Sequence, residues 1–361
     1  MSVGPHIHRL ANGFTIAAEP MIGVETVALG LHVDCGARHE DARTNGLAHL
    51  FEHMVFKGAG GRNARQISEA VENVGGYLNA YTSRDQTAFQ ARLLAENVDL
   101  GVELVADLVR KPHFEPNDLV REKDVVLQEL GEARDLPDDI INDHFHSTAW
   151  PDQAFGRPVL GEEQSIDAIG VDDLHGWTRT HYRPQGMVLA AAGKIDIDQL
   201  VDLAERRFGD MEPAPRPVAE GAAYQGGLFV ERRRLESAHI LFGWEGVSYF
   251  DPAYYPLLLF SQAAGEGSSS RLFQAIREER GLAYSVGSSV AAWRDTGMLT
   301  VYLATARREA QHATDLSRDL LREAAVTLSQ VELDRAKAQI RATILMALES
   351  VQSRADRLGF Q

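Results

Sequence analysis

The chain carries a single cysteine, Cys35, in 361 residues. It therefore has no internal disulfide, and the paired-cysteine spacing of structural zinc sites is absent. Any metal must be held by His, Asp and Glu. No window reaches 18 apolar residues free of charge, so no membrane-spanning helix is expected. Positive charge is in deficit: 36 Lys and Arg stand against 52 Asp and Glu, for a formal charge of −16. Such a balance argues against a nucleic-acid partner and is compatible with cationic ligands. The opening stretch MSVGPHIHRLANGFTIAAEP lacks a basic start followed by an apolar core. No signal peptide is visible there, and the cytoplasm is the expected location.

What is present reads as a globular protein. Hydrophobic residues make up 44% and charged residues 24%, enough to bury real cores, and the length favours two domains. β-rich runs at 14–18 and 24–33 precede helical patterns at 45–57 and 64–74. Residues 77–93 alternate polar and apolar, as one or two antiparallel strands turning near 83–85. Helical stretches at 97–109 and 116–134 follow, then a buried-type strand at 188–193 and a helix at 196–208. Residues 210–225 hold three prolines and few large apolar groups, the composition of a linker. Beyond it come strands at 227–231 and 238–244, and helices at 252–263 and 270–279. Strands at 283–291 and 298–304 and long helices at 308–326 and 331–353 complete the pattern. The order strand, helix, strands, two long helices occurs twice, a repeat of topology rather than of letters. The expected fold is α+β: two topologically related α/β-sandwich domains, each a mostly antiparallel sheet flanked by helices. Their expected bounds are 1–212 and 226–361 with a linker at 213–225, the second domain being short at its C-terminal end.

The sharpest local signal is His49-Leu50-Phe51-Glu52-His53. On a helix, His49 and His53 stand one above the other, so their imidazoles can occupy two corners of one tetrahedral site. Glu52 leans toward the same face, where a carboxylate can take a proton from water acidified by the metal. This H-x-x-E-H order is the inverzincin arrangement. Two histidines do not hold catalytic zinc, so a third ligand is required. The helix over 121–132 offers Glu122, Glu129 and Glu132 near one face. Taken alone, that acidic stripe is a solvated helix surface, and spacing does not choose among the three.

The chain resembles the pitrilysin and mitochondrial-processing-peptidase family of zinc metallopeptidases. The matching residues are Gly46-Leu-Ala-His-Leu-Phe-Glu-His-Met54 with Phe56-Lys57-Gly58, then Asn79-Ala80-Tyr81-Thr82 and Glu122-Lys-Asp-Val-Val-Leu-Gln-Glu129. Gly161, Tyr182-Arg-Pro, Ser270-Arg-Leu-Phe and Arg277-Glu-Glu-Arg-Gly-Leu-Ala-Tyr284 match as well. The resemblance implies Zn2+ as cofactor, Glu129 as the third ligand and Glu122 as an acid supporting the site, with Glu132 a surface residue. It implies that an extended peptide is gripped by addition to a sheet edge, to which Asn79, Ala80, Tyr81 and Thr82 correspond. It further implies that Arg277 and Tyr284 reach the substrate backbone and the scissile carbonyl, where a cation and a hydroxyl suit a developing oxyanion.

The expected function is that of a zinc-dependent endopeptidase cutting extended or unfolded peptides in a cavity between two domains, with Glu52 activating the water. Peptide substrates, basic or presequence-like ones among them, and a homodimer are the expected partners. The alternative is a catalytically silent or co-dependent subunit of a processing-peptidase-like complex.

Overall fold

The structure, a computed structural model, describes residues 4–360. The chain begins with β1 (His6–Arg9), β2 (Thr15–Pro20) and β3 (Thr26–Val33), then α1 (Leu47–Val55) and the short pair β4 (Gly58–Ala59) and β5 (Arg62–Asn63). It continues through α2 (Ala64–Glu72), β6 (Tyr77–Thr82), β7 (Thr87–Leu94), α3 (Val98–Arg110) and α4 (Pro116–Asp135). Next come α5 (Pro137–Ala149), α6 (Glu163–Ala168), α7 (Val171–His181), β8 (Met187–Gly193) and α8 (Ile197–Phe208). The last third holds β9 (Ser237–Glu245), α9 (Tyr254–Ala264), a π-helical turn at Phe273–Glu278, β10 (Ala283–Ala292) and β11 (Gly297–Ala306). It ends in α10 (Ala310–Thr327), α11 (Gln330–Ala347) and α12 (Val351–Gly359).

Two compact units result, and neither is contiguous in sequence. The first contains residues 1–131, 157–220 and 346–361; the second contains 132–156 and 221–345. The divide at 220 falls inside the expected linker. Two segments depart from the expected contiguous halves: 132–156 belongs with the second unit and 346–361 with the first. Composition marks a linker by its prolines, but an amphipathic helix carries no label for the sheet it will cover.

The first unit is built on a six-stranded sheet of order β1-β2-β8-β3-β7-β6, in which only β2 and β8 run parallel. Side chains alternate across it. Ile16, Ala18, Leu29, Leu31, Leu189 and Ala191 enter the main core with Leu50, Phe51 and Met54 of α1. The opposite face is lined by small residues, Ala17, Ala28, Ala190 and Ala192, on which Ala355 and Leu358 of α12 sit. Small side chains there let the helix lie close to the sheet.

The second unit has a three-stranded antiparallel sheet of order β10-β11-β9, the same arrangement as β6-β7-β3 in the first. Val301 and Leu303 of β11 face a core with Leu321 and Ala324 of α10. Met298, on the other face, packs with Ala149, Trp150 and Phe155 at and beyond the end of α5. The repeat of topology read in the sequence is therefore real. Two details differ from expectation. Residues 227–231 are not a strand, and Leu228 and Val230 are 88% and 73% exposed. In the first unit β2 is held by β8; among the described residues of the second, no such strand lies beside β9. A β-rich run forms a strand only when a neighbour completes its ladder. The long helix expected over 331–353 is also broken at 348–350, where Ser350 caps α12 by accepting from the Ser353 N–H.

Candidate metal centre

α1 packs one face into the core through Leu47, Leu50, Phe51, Met54 and Val55. The other face carries His49 and His53, whose ring centroids are 4.7 Å apart. α4 buries Leu119, Glu122, Val126 and Leu130, which orients Glu122 and Glu129 toward α1. His49 Nε2 lies 3.7 Å and His53 Nε2 3.5 Å from Glu129 Oε2. The three residues form the one cluster, among the described residues, whose ligand atoms all lie close enough for one ion. Zinc bonds of about 2.0–2.2 Å set neighbouring ligand atoms roughly 3.3–3.6 Å apart, so the separations fit a shared Zn2+ with a position left open.

The electrostatics suit the same ion. Burial, then the neighbouring His53, lowers the pKa of His49 to about 4, so its imidazole is neutral, the form that ligates. His49 Nδ1 is buried without a hydrogen-bond partner among the described residues. His53 Nδ1 lies 3.3 Å from Glu122 Oε2. A proton on Nδ1 donates to that carboxylate and leaves the Nε2 lone pair for metal. Lys57 Nζ holds the other oxygen of Glu122 at 2.7 Å. Lys57 follows the end of α1 and Glu122 lies on α4, so no local spacing links the two; the fold alone brings them together.

Glu52 stands beside the cluster. Its carboxyl is raised by burial and by Glu129, and is held down by a hydrogen bond from Thr82 and by His53. The Thr82 hydroxyl donates to Glu52 Oε2 at 2.6 Å. Thr82 was expected only as part of a peptide-binding edge; its bond fixes the rotamer of the acid as well. Asn79, Ala80 and Tyr81 share β6 with it, and β6 is the outermost strand of its sheet. Glu132 is exposed and outside the cluster.

Arg277 and Tyr284 lie in the second unit, where the structure brings them together. The Arg277 guanidinium stacks 4.6 Å from the Tyr284 ring centroid and 4.8 Å from that of Phe273. Arg277 belongs to the π-helical turn, and the β10 register shifts between Ala283 and Ser285, so Tyr284 occupies a bulge. Both irregularities re-aim side chains and are common at functional positions. Tyr284 is 79% exposed.

Comparison with known proteins identifies the family. The sequence pattern of the insulinase family (peptidase family M16) matches residues 15–163, and that of the peptidase M16 inactive domain matches residues 168–340. An uncharacterized zinc protease of Rickettsia bellii is 35% identical over 98% of this chain and 86% of its own length. The mitochondrial-processing peptidase subunit beta of Saccharomyces cerevisiae is 32% identical over 99% of this chain and 82% of its own. A protease from Helicobacter pylori has the same fold, with a TM-score of 0.91 at 20% identity, over 99% of this chain and 88% of that one. No helix among the described residues is long and apolar enough to cross a membrane. Two patterns that together span nearly the whole chain, and relatives above 30% identity along their length, make this chain a member of peptidase family M16, the insulinase family, whose cofactor is zinc.

Proposed function

We propose that this chain is a zinc endopeptidase that hydrolyses extended or unfolded peptides. The observation that carries the reading is the convergence of His49, His53 and Glu129 on one point with Glu52 beside them. When bound there, zinc supplies Lewis acidity, polarising a carbonyl and making water acidic near neutral pH. The chain's own residues do the rest. Glu52 accepts the proton of the attacking water and later returns it to the leaving amine. Thr82 keeps the Glu52 carboxylate in place, and Glu122 keeps the His53 ring turned with Nε2 outward. The open edge at Asn79, Ala80, Tyr81 and Thr82 takes the substrate as an added strand, which gives a preference for unfolded chains. Arg277 and Tyr284 hold the substrate backbone and stabilise the oxyanion. The acid excess of the chain favours basic, presequence-like peptides.

Tyr284→Phe keeps the ring that Arg277 stacks on and removes only the hydroxyl. It is expected to lower kcat by about 10²–10³-fold, the loss typical of one oxyanion donor, with zinc content unchanged. An unchanged kcat would remove Tyr284 from the mechanism.

The relatives named as processing-peptidase subunits supply the second reading, a chain that works only with a partner. Gel filtration of the pure protein, followed by peptide cleavage with and without a zinc chelator, separates the two. A homodimer with chelator-sensitive cleavage restored by Zn2+ is the expected result. A metal-loaded but inert protein would favour a partner-dependent subunit, and chelator-insensitive cleavage would overturn the zinc reading.

A further inference from the structure

The helix that carries two members of the metal cluster begins in an unusual way. The N-cap of α1 is Gly46, which has no side chain to accept from the first turn. The first N–H groups of a helix lack partners within it, and a buried one left unmatched is costly. Here the acceptor comes from Glu40, 3% exposed and six residues before the cap. Its Oε2 accepts from the Gly46 N–H at 2.8 Å and its Oε1 from the Ala48 N–H at 2.7 Å. Oε2 also accepts from Asn45 Nδ2 at 3.0 Å, and that amide reaches the Pro158 carbonyl at 2.9 Å. Arg157 donates to the backbone carbonyl of Glu40 itself. An ordinary capping residue cannot replace Gly46. Its φ is +93°, and a Cβ there would meet Gly161 Cα at 2.9 Å.

We propose that Glu40 is a positioning residue of the metal centre: by holding the Gly46 and Ala48 N–H groups it fixes where α1 starts and so the direction of His49. His49 is the third residue of the helix, directly after Ala48, whereas His53 lies a full turn further in. Fraying of the first turn would displace His49 and spare His53, leaving two ligands in place of three. A carboxylate at this end also complements the helix dipole, most strongly where solvent is excluded. Burial pushes the Glu40 carboxyl up to about 7, against the pull of the Ala48, Asn45 and Gly46 hydrogen bonds and of Arg157. No acid stands in the first turn of α1 itself.

The inference rests on the zinc reading, and one experiment separates their failures. Zinc affinity is measured by chelator competition on the wild type, Glu40→Gln and Asn45→Ala, with the Tm of each zinc-free protein alongside. The glutamine keeps one acceptor oxygen but turns an NH2 toward the other N–H. Expected is a 10–100-fold loss of zinc affinity in Glu40→Gln, the range seen when outer partners of a ligand are removed. Asn45→Ala leaves both backbone bonds but removes one donor that holds Glu40, and is expected to weaken zinc binding less than Glu40→Gln does. Should Glu40→Gln not fold, Glu40→Asp, which withdraws the charge by one methylene, carries the same expectation. A Glu40 variant with a lowered Tm but wild-type zinc affinity would overturn the positioning role and leave a helix cap alone. A wild type that binds no zinc would overturn the metal reading, and this inference with it.

Discussion

Glu52→Gln is expected to keep its full complement of zinc and to lose about 10²–10⁴-fold in peptide hydrolysis, the contribution of a placed general base. The substitution changes charge and proton affinity but hardly any volume. None of the three proposed ligand side chains is touched, and Glu52 sits beside them rather than among them. The amide oxygen can still accept from the Thr82 hydroxyl, so the rotamer has reason to persist. What the amide cannot do is take up a proton. The pH dependence of the wild type follows from the same environment. Burial raises the Glu52 carboxyl above the ordinary glutamate range, and the base works only when ionised. Hydrolysis therefore falls as pH drops through this raised value and is present above it, and the acid limb disappears in the glutamine variant. Metal analysis beside a peptide assay across pH reads both. Substantial activity in Glu52→Gln would place the base elsewhere.

Glu129→Gln is expected to weaken zinc binding by more than about 100-fold, roughly 2.8 kcal/mol at 1.4 kcal/mol per decade. Glu129 Oε2 is the atom that closes the cluster, within 3.7 Å of both imidazole Nε2 atoms. An amide oxygen carries no charge and is a poor substitute toward a dication. The informative contrast is Glu122→Gln on the same helix. Glu122 reaches only the Nδ1 side of His53 and Lys57. In the proposed site it orients a ligand without being one, so its loss is expected to cost about 10–100-fold. Chelator competition on both variants gives the ranking. If Glu122→Gln proved the more damaging, the assignment of the third ligand would be reversed.

That ranking could not be reached from spacing. Glu122, Glu129 and Glu132 all lie near one side of a helical wheel, and nothing local separates them. The resemblance implies Glu129, and the fold separates the two acids: Glu122 is buried beside Lys57, while Glu129 stays half open near both imidazoles. The helix bearing His49 and His53 was legible because its period and motif agree. So were β3, β6, β7 and most of the helices, whose apolar periods are long and uninterrupted. Other features depend on contacts with no trace nearby in sequence. Glu40 stands only six residues before the cap of α1, but no local pattern marks an acid at that spacing as a capping group. The β-rich run at 227–231 reads as a strand, but a strand needs a neighbour, and none stands beside it among the described residues. Arg277 and Tyr284 gave no local signal beyond resemblance; the turn and the bulge that aim them are departures from regular structure, which periodicity does not register.

The traded helices have a consequence for dissecting the molecule. The alanine-lined back of the large sheet is roofed by α12, more than 150 residues along the chain from β8, and the Met298 side of the small sheet is roofed from residues 132–156. A fragment ending at the proline-rich stretch would strip the first sheet of its roof while keeping a roof that belongs to the other. No single cut yields two self-sufficient pieces. Protein engineers seeking an isolated metal-binding half would have to graft residues 351–359 back on, because the end of this chain is part of its beginning.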